Sequence, residues 1–308
     1  MGHVTFVHGI LNKTAPEELV QLWRRGLAEE DGFNLGARGV TSSMVYWADV
    51  LYDKPLVESA HAESLEAAVE AGAVDPLPME WRAQLRGKER DLVEGLARDL
   101  GYDEVEEEDP PPAGPQTGPS LERVPLPGFV KKRIMGYLLR DVHHYLYNVD
   151  FSPRADARYR VQDEIRKRFV AAIEEGSARP GPHVVVSHSM GTVIAYDCLK
   201  RVAGCPRVDA LMTIGSPLGL DEIQDALQPE WSRLDGFPSD RVAKRWVNVY
   251  DGLDPVAGFD GNLANDFMKG GLPSVEDIHE PNWGKWRHDV SKYLRGARLR
   301  ERIQFLLS

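Results

Sequence analysis

The residues best placed to do chemistry lie around Ser189. In the run His183-Val-Val-Val-Ser-His-Ser-Met-Gly-Thr-Val-Ile-Ala-Tyr196, residues His183 to Val186 read as a buried β-strand. The tight turn from Ser187 to Gly191 follows at once, and from Thr192 to Val202 apolar residues recur at helical spacing. A serine at the apex of such a strand–turn–helix has its hydroxyl lifted clear of the backbone. The N-terminus of the following helix turns amide N–H groups towards any oxyanion formed beside it. The chemistry is nucleophilic, and a serine hydroxyl needs a neighbouring base to attack at neutral pH. The alternative reading of Ser189 is a helix cap, a position that favours serine.

A second element opens the chain. Val4 to Val7 reads as a strand and runs into His8-Gly9-Ile10-Leu11-Asn12. A helix follows from about Pro16, with Asn12 or Thr14 to cap it and Glu17 and Glu18 in its first turn. Gly9 lets the backbone come close to a bound group, although an ordinary β-turn accounts for His-Gly as well. Downstream, Arg245 to Tyr250 reads as a strand, and two acidic candidates lie just past it, Asp251 and Asp254. Asp251 precedes Gly252 and Asp254 precedes Pro255, so both are also common turn residues. Two late histidines are candidate bases. His279 lies in an acidic loop with Glu276, Asp277, Glu280 and Pro281, whereas His288 stands directly before the helical pattern Asp289 to Arg295.

Together these stretches resemble α/β-hydrolases of the serine esterase and lipase type. The likeness is to bacterial lipase-like proteins with His-Gly, Ser-His-Ser-Met/Leu-Gly and Thr-x-Gly-Ser-Pro stretches. Here these are His8-Gly9, Ser187 to Gly191 and Thr213 to Pro217, the last within Ala210 to Leu218. Arg140 to Leu146 and His288 to Leu294 are similar to that group too. The family pattern is Gly-x-Ser-x-Gly; Ser187 takes the place of the first glycine and is small enough for a helix passing close by. The likeness covers residues 1 to about 50 and 150 to 308. It implies an α/β fold with a mostly parallel central sheet flanked by helices, and a chain order of Ser, then acid, then His. It further implies Ser189 as nucleophile, Asp254 as acid and His288 as base, with Asp251 and His279 as alternates. The N–H groups of Ile10 and Met190 are the implied oxyanion donors. The activity that follows is cleavage of a small-molecule carboxylic ester or other acyl substrate through an acyl-enzyme, without a cofactor. Thioester or amide cleavage, acyl transfer, and a non-catalytic interaction protein on the same fold are the alternatives.

The elements that must position these groups read as one α/β-hydrolase domain over 1–308 with an insertion over 51–150. Met44 to Trp47 is a further strand, and Arg154 to Glu175 the helix leading into the strand before Ser189. Within the insertion, Glu58 to Ala71 and Trp81 to Leu100 carry helix patterns and are candidates for a cap over the pocket. Asp103 to Asp109 is an acidic run that continues into a proline-rich stretch ending at Pro119, read as a flexible surface loop at 103–119. Phe129 to Leu146 is an amphipathic helix whose stripe Val130, Ile134, Leu138, Val142 and Tyr145 is expected to pack on the sheet. A smaller insertion over 220–240, with Trp231 and Phe237, and the pair Trp283 and Trp286 are candidates for the pocket mouth; core packing explains them as readily.

Composition narrows the partners. The chain has 308 residues, 42% of them hydrophobic, enough for a sizeable core, and a net charge of −11. That charge argues against nucleic acid, whose binding rests on basic patches, and against anionic membranes. No run is long and apolar enough for a membrane span, and no signal-peptide pattern is visible, so a cytoplasmic location is expected. Cys198 and Cys205 are expected to be thiols rather than a disulfide. The nine histidines show no His-x-x-x-His or His-Glu-x-x-His spacing, and Gly219 to Glu222 lacks the Gly-Lys-Thr end of a phosphate loop. The oligomeric state is not legible.

Overall fold

The computed structural model describes residues 2–56, 75–105 and 128–308, apart from 156, 259 and 285. The helix expected at Glu58 to Ala71 and most of the acidic, proline-rich stretch lie outside the described residues. The chain begins with β1 (His3–Val7), α1 (Pro16–Ala28), β2 (Thr41–Val45) and the short α2 (Ala48–Leu51). After α3 (Gly87–Asp99) and α4 (Gly128–Leu146) come β3 (Asp150–Phe151), β4 (Tyr159–Arg160) and α5 (Val161–Ser177). The site-bearing half is β5 (His183–His188), α6 (Met190–Arg201), β6 (Val208–Ile214), α7 (Asp221–Ala226), β7 (Val242–Tyr250), β8 (Val275–His279), α8 (Val290–Arg295) and α9 (Ala297–Leu306).

Six strands form one sheet in the order β2-β1-β5-β6-β7-β8, with every neighbouring pair parallel. A parallel sheet must be covered on both faces, and its strands here are correspondingly apolar. Alternation sends Val184, Val186, Ala210, Met212 and Ile214 to one face, where α1, α8 and α9 supply Leu22, Trp23, Tyr293, Leu294 and Ile303. Val185, Leu211 and Trp246 face the opposite way, into a core built with α3, α4, α5 and α6. Helix α1 shows how locally this is written. Pro16 sits at its first position, Glu17 and Glu18 complement the dipole, and Leu19, Leu22, Trp23, Gly26 and Leu27 form one buried stripe.

Strand order reverses between β1 and β5, since the chain first steps from β1 outward to β2 and later returns on the other side. In open parallel sheets the crevice outside the carboxyl ends at such a point is the ordinary ligand site. His8, Ser189, Gly215, Asp251 and Glu280 each follow directly on the end of a sheet strand, so all the candidate groups gather on that edge.

Several readings differ from expectation. The helix expected over Trp81 to Leu100 begins only at Gly87, after a 3-10 turn over Glu80–Gln84. Helix α5 starts at Val161, not Arg154. Residues 150–151 and 159–160 pair antiparallel first, and the Asn148 side chain accepts the N–H groups of Gln162 (3.1 Å) and Asp163 (3.3 Å), fixing the helix start. The acidic segment at 275–279 is a strand rather than a loop. Its Asp277 carboxylate accepts the N–H groups of Leu263 (3.0 Å) and Ala264 (2.9 Å) and the Asn248 amide (2.9 Å), so a charged residue is tolerated inside the sheet edge. Trp231 and Phe237 do not line the pocket; they pack with Tyr196, Trp246 and Phe267 in the core. The stripe of α4 is buried as expected, and Cys198 and Cys205 are free thiols.

Candidate active site

Ser189 is held in a strained turn. Its φ of 54° and ψ of −131° are rare for a residue with a Cβ and cost on the order of 1–3 kcal/mol, sustained by the surroundings. The Ser189 N–H donates to Ile214 O (3.0 Å), while its carbonyl accepts both the N–H (2.9 Å) and the hydroxyl (2.7 Å) of Thr192. Gly191 is obligatory, because a Cβ there would stand 2.5 Å from the carbonyl oxygens of Val7 and His8. Ser187 resolves its own hydroxyl by donating to Met212 O at 3.1 Å. The Ser189 side chain makes no capping bond to α6. Its Oγ lies 2.8 Å from His288 Nε2.

His288 completes a chain of hydrogen bonds. Its Nδ1 is 2.8 Å from Asp254 Oδ2 and 2.9 Å from Oδ1, so the Nδ1–H donates to the carboxylate. Nε2 then keeps its lone pair for the serine proton. Asp254 Oδ1 also accepts the N–H groups of Val256 (2.7 Å) and Ala257 (3.2 Å), and Oδ2 accepts the Tyr293 hydroxyl (2.7 Å). Burial alone would raise the Asp254 pKa. The neighbouring His288 and these donors outweigh it and hold the group below its ordinary value, as a carboxylate. Tyr293 in turn accepts the Asp251 N–H at 3.0 Å. The ring of His188 lies 4.8 Å from that of His288, and its Nε2–H donates to the His288 carbonyl at 2.8 Å. Burial, with His288 alongside, keeps His188 far below the ordinary histidine value, hence neutral.

The two alternates meet each other instead of the serine. Asp251 accepts the N–H groups of Leu253 (2.9 Å) and Asn282 (2.8 Å) and the Arg287 guanidinium (3.1 Å), stapling the loop that delivers His288. His279 is half exposed at the end of β8, with Nε2 3.9 Å from Asp251 Oδ1.

On the other side of Ser189 the loop after β1 is set by residues that carry no obvious signal in sequence. His8 Nε2 accepts the Trp47 N–H (3.0 Å), which leaves the proton on Nδ1 to donate to Gly9 O (2.8 Å). A trans peptide points its C=O and N–H in opposite directions, so this bond turns the Ile10 N–H away from His8. Burial, with Lys13 nearby, pushes His8 down to about 3 and keeps it neutral. The next peptide unit is held at both ends. Ile10 O accepts Lys13 Nζ (2.6 Å), and Leu11, at a φ of 70°, donates its N–H to Asp141 Oδ2 (3.3 Å). Gly9 is needed because a Cβ would stand 2.8 Å from Ser189 Cβ. Met190 opens α6, where helix N–H groups lack intrahelical partners. Neither the Ile10 nor the Met190 N–H has an acceptor among the described residues.

A cavity of about 60 Å³ runs from Ser189 and His288 between α1 and α8, walled by Leu19, Leu22, Trp23, Leu294 and Trp286. None of its lining belongs to 75–105 or 128–150. Of the two tryptophans before His288, Trp286 lines it, while Trp283 is largely exposed. Among the described residues no group of three or more His, Cys, Asp or Glu is arranged to hold a metal ion, and no helix is long and apolar enough to cross a membrane.

No protein-family model matches the chain, and no curated protein matches it. A solved crystal structure of an uncharacterized protein from Pseudomonas aeruginosa aligns over 99% of this chain and 45% of its own length, at 8% identity and a TM-score of 0.32. The chain thus spans just under half of that protein, and a score of that size carries no argument about fold or activity.

Proposed function

We propose that the chain is a serine hydrolase of the α/β-hydrolase type that cleaves small carboxylic esters through an acyl-enzyme. The observation that carries this reading is the continuous path from Ser189 Oγ through His288 to Asp254, at 2.8 Å on each side of the imidazole, with the serine in a strained turn. In this reading Ser189 Oγ attacks the ester carbonyl as its proton passes to His288 Nε2. Asp254 stabilises the imidazolium and fixes its tautomer. The tetrahedral oxyanion lies against the N–H groups of Ile10 and Met190, where loss of one donor typically costs ~10²–10³ in turnover. His288 then protonates the departing alkoxide, and a water activated by the same ring releases the acid. The all-parallel sheet, with Ser189 directly after β5, Asp254 in the loop after β7 and His288 in the loop between β8 and α8, supports the family assignment.

The test is intact-mass spectrometry after exposure to a fluorophosphonate. Wild-type protein is expected to gain one adduct, and Ser189→Ala none. Folded wild-type protein that stays unlabelled would overturn the reading.

A further inference from the structure

The cavity beside Ser189 has a direction. Its lining on α1 is Leu19, Leu22, Trp23, Gly26 and, just past the helix, Glu29. Steps of three and four residues keep these on one stripe of the helix, about 15 Å long at about 1.5 Å per residue. Helix α8 leads away from the catalytic end alongside it. It opens just after His288 and lines the cavity with Val290, Leu294 and, as its last residue, Arg295. The far end is closed by an ion pair, Arg295 Nε to Glu29 Oε2 at 2.5 Å, with both side chains partly exposed. Lys13 and Asp289 line the catalytic end, and between the two ends the walls are apolar apart from Ser291. The space is a slot, because α1 and α8 nearly touch: a Cβ on Gly26 would stand 3.3 Å from Leu294 Cβ. A volume of about 60 Å³ holds about four to six water-sized spheres, which over that length lie in single file.

We infer that the slot between α1 and α8 binds one unbranched hydrocarbon chain of the ester, about six to eight carbons long, with its tip stopped by the Glu29–Arg295 pair. This rests on the serine hydrolase reading above. The two helices set a depth of about 8–15 Å. An extended chain advances about 1.2 Å per bond, so six to eight carbons take about 7–10 Å, and the small volume selects that lower part of the range. Each methylene that enters leaves water for apolar walls, whereas a branch or ring needs width that Gly26 and Leu294 do not leave. A longer chain has to break the ion pair or press its tip against ionised groups. A chain on either half of the ester enters from the reacting carbonyl, and two substrate series tell the halves apart.

The test measures kcat/KM along two series, p-nitrophenyl esters from acetate to dodecanoate and alkyl acetates from ethyl to dodecyl. Each rate is divided by that ester's hydroxide-catalysed rate, to remove intrinsic reactivity. In one of the series the wild type is expected to gain roughly threefold per methylene up to about six to eight carbons, and to fall beyond that length. Glu29→Ala combined with Arg295→Ala removes the stop and is expected to move the break roughly two to four carbons longer; a partly exposed pair contributes little to stability, so this variant folds. Leu22→Phe fills the slot partway along and is expected to move the break to shorter chains. The break is read within each protein, so a change in overall rate leaves it in place. Wild-type protein that takes the fluorophosphonate but gains nothing with length in either series overturns the inference and leaves the hydrolase reading standing. A break that stays put when the ion pair is removed does the same. Absent labelling of the wild type would remove both. Should Leu22→Phe not fold, the variant without the ion pair decides alone.

Discussion

Asp251 and Asp254 are three residues apart, both buried, and both at the carboxyl end of β7, yet their surroundings divide them. Asp254 faces the imidazole, whereas Asp251 ties Asn282 and Arg287 into the loop before it. Asp254→Asn offers Nδ1 a donor as well as an acceptor and disfavours the tautomer that leaves Nε2 free. A fall in kcat on the order of 10⁴ is expected, with little change in Tm. Asp251→Asn leaves the Arg287 charge without its partner and is expected to cost about 3 kcal/mol of stability, with a far smaller loss of kcat in protein that remains folded. Paired kcat and thermal-unfolding measurements check both, and an interchange of the two patterns would refute the assignment. In sequence the two residues look alike, since Asp-Gly and Asp-Pro are equally good turn openers. Tyr293, which donates to Asp254 and accepts from Asp251, separates them only once α8 is folded beside β7.

At the scale of elements, β1, β5, α1 and α6 were legible from their hydrophobic period, and Pro16, Glu17 and Glu18 mark the start of α1. Its cap position is nevertheless Ala15, without a side-chain capping bond, and neither Asn12 nor Thr14 caps it. β8 was hidden by Glu276 and Asp277, and nothing local reveals that the Asp277 carboxylate is used by the 260s loop. The loop between β1 and α1 is the clearest case of long-range support. Its Ile10–Leu11 peptide is held by Lys13 within the loop and by Asp141 from α4, 130 positions away in sequence. Lys13 faces Asp289 and Asp141, but burial outweighs them and pulls its ammonium down to about 8. Below that pH the cation lies beside the proposed oxyanion site and favours the developing negative charge; above it the charge is lost. Hence kcat is expected to fall as pH rises through about 8. Lys13→Gln is expected to be slower at pH 7 by on the order of tenfold and to lack that alkaline limb. A pH–rate profile from 6.5 to 9.5 on both proteins checks this, and an unchanged limb in Lys13→Gln would assign it to another group.

For the molecule as a whole, both faces of the sheet are closed by helices, and this sets the pH range over which the fold holds together. His8, His183 and His188 are all buried on or beside the central strands. Burial depresses all three, His8 to about 3, His183 to about 4 and His188 well below the ordinary value. Each is neutral in the folded chain near pH 6 but takes up a proton in the unfolded chain below about 6.5. The sign follows: the unfolded state binds more protons, so stability is complete above 6.5 and declines as pH falls towards the folded values. Each such histidine contributes a slope of about 1.4 kcal/mol per pH unit, so three together give about 4 kcal/mol per unit. A typical domain has only about 5–15 kcal/mol in total. Unfolding is therefore expected near pH 5, before most carboxylates titrate. Carboxyls raised by burial, such as Asp277, act in the opposite sense as they protonate. Denaturant unfolding curves at pH 7, 6 and 5 measure the slope directly. A stability that stays level from 6.5 to 5 would mean that these histidines are solvated or already protonated in the folded chain. That result would also undo the neutral His8 that orients the Ile10 N–H, so the same titration bears on the site as much as on the fold.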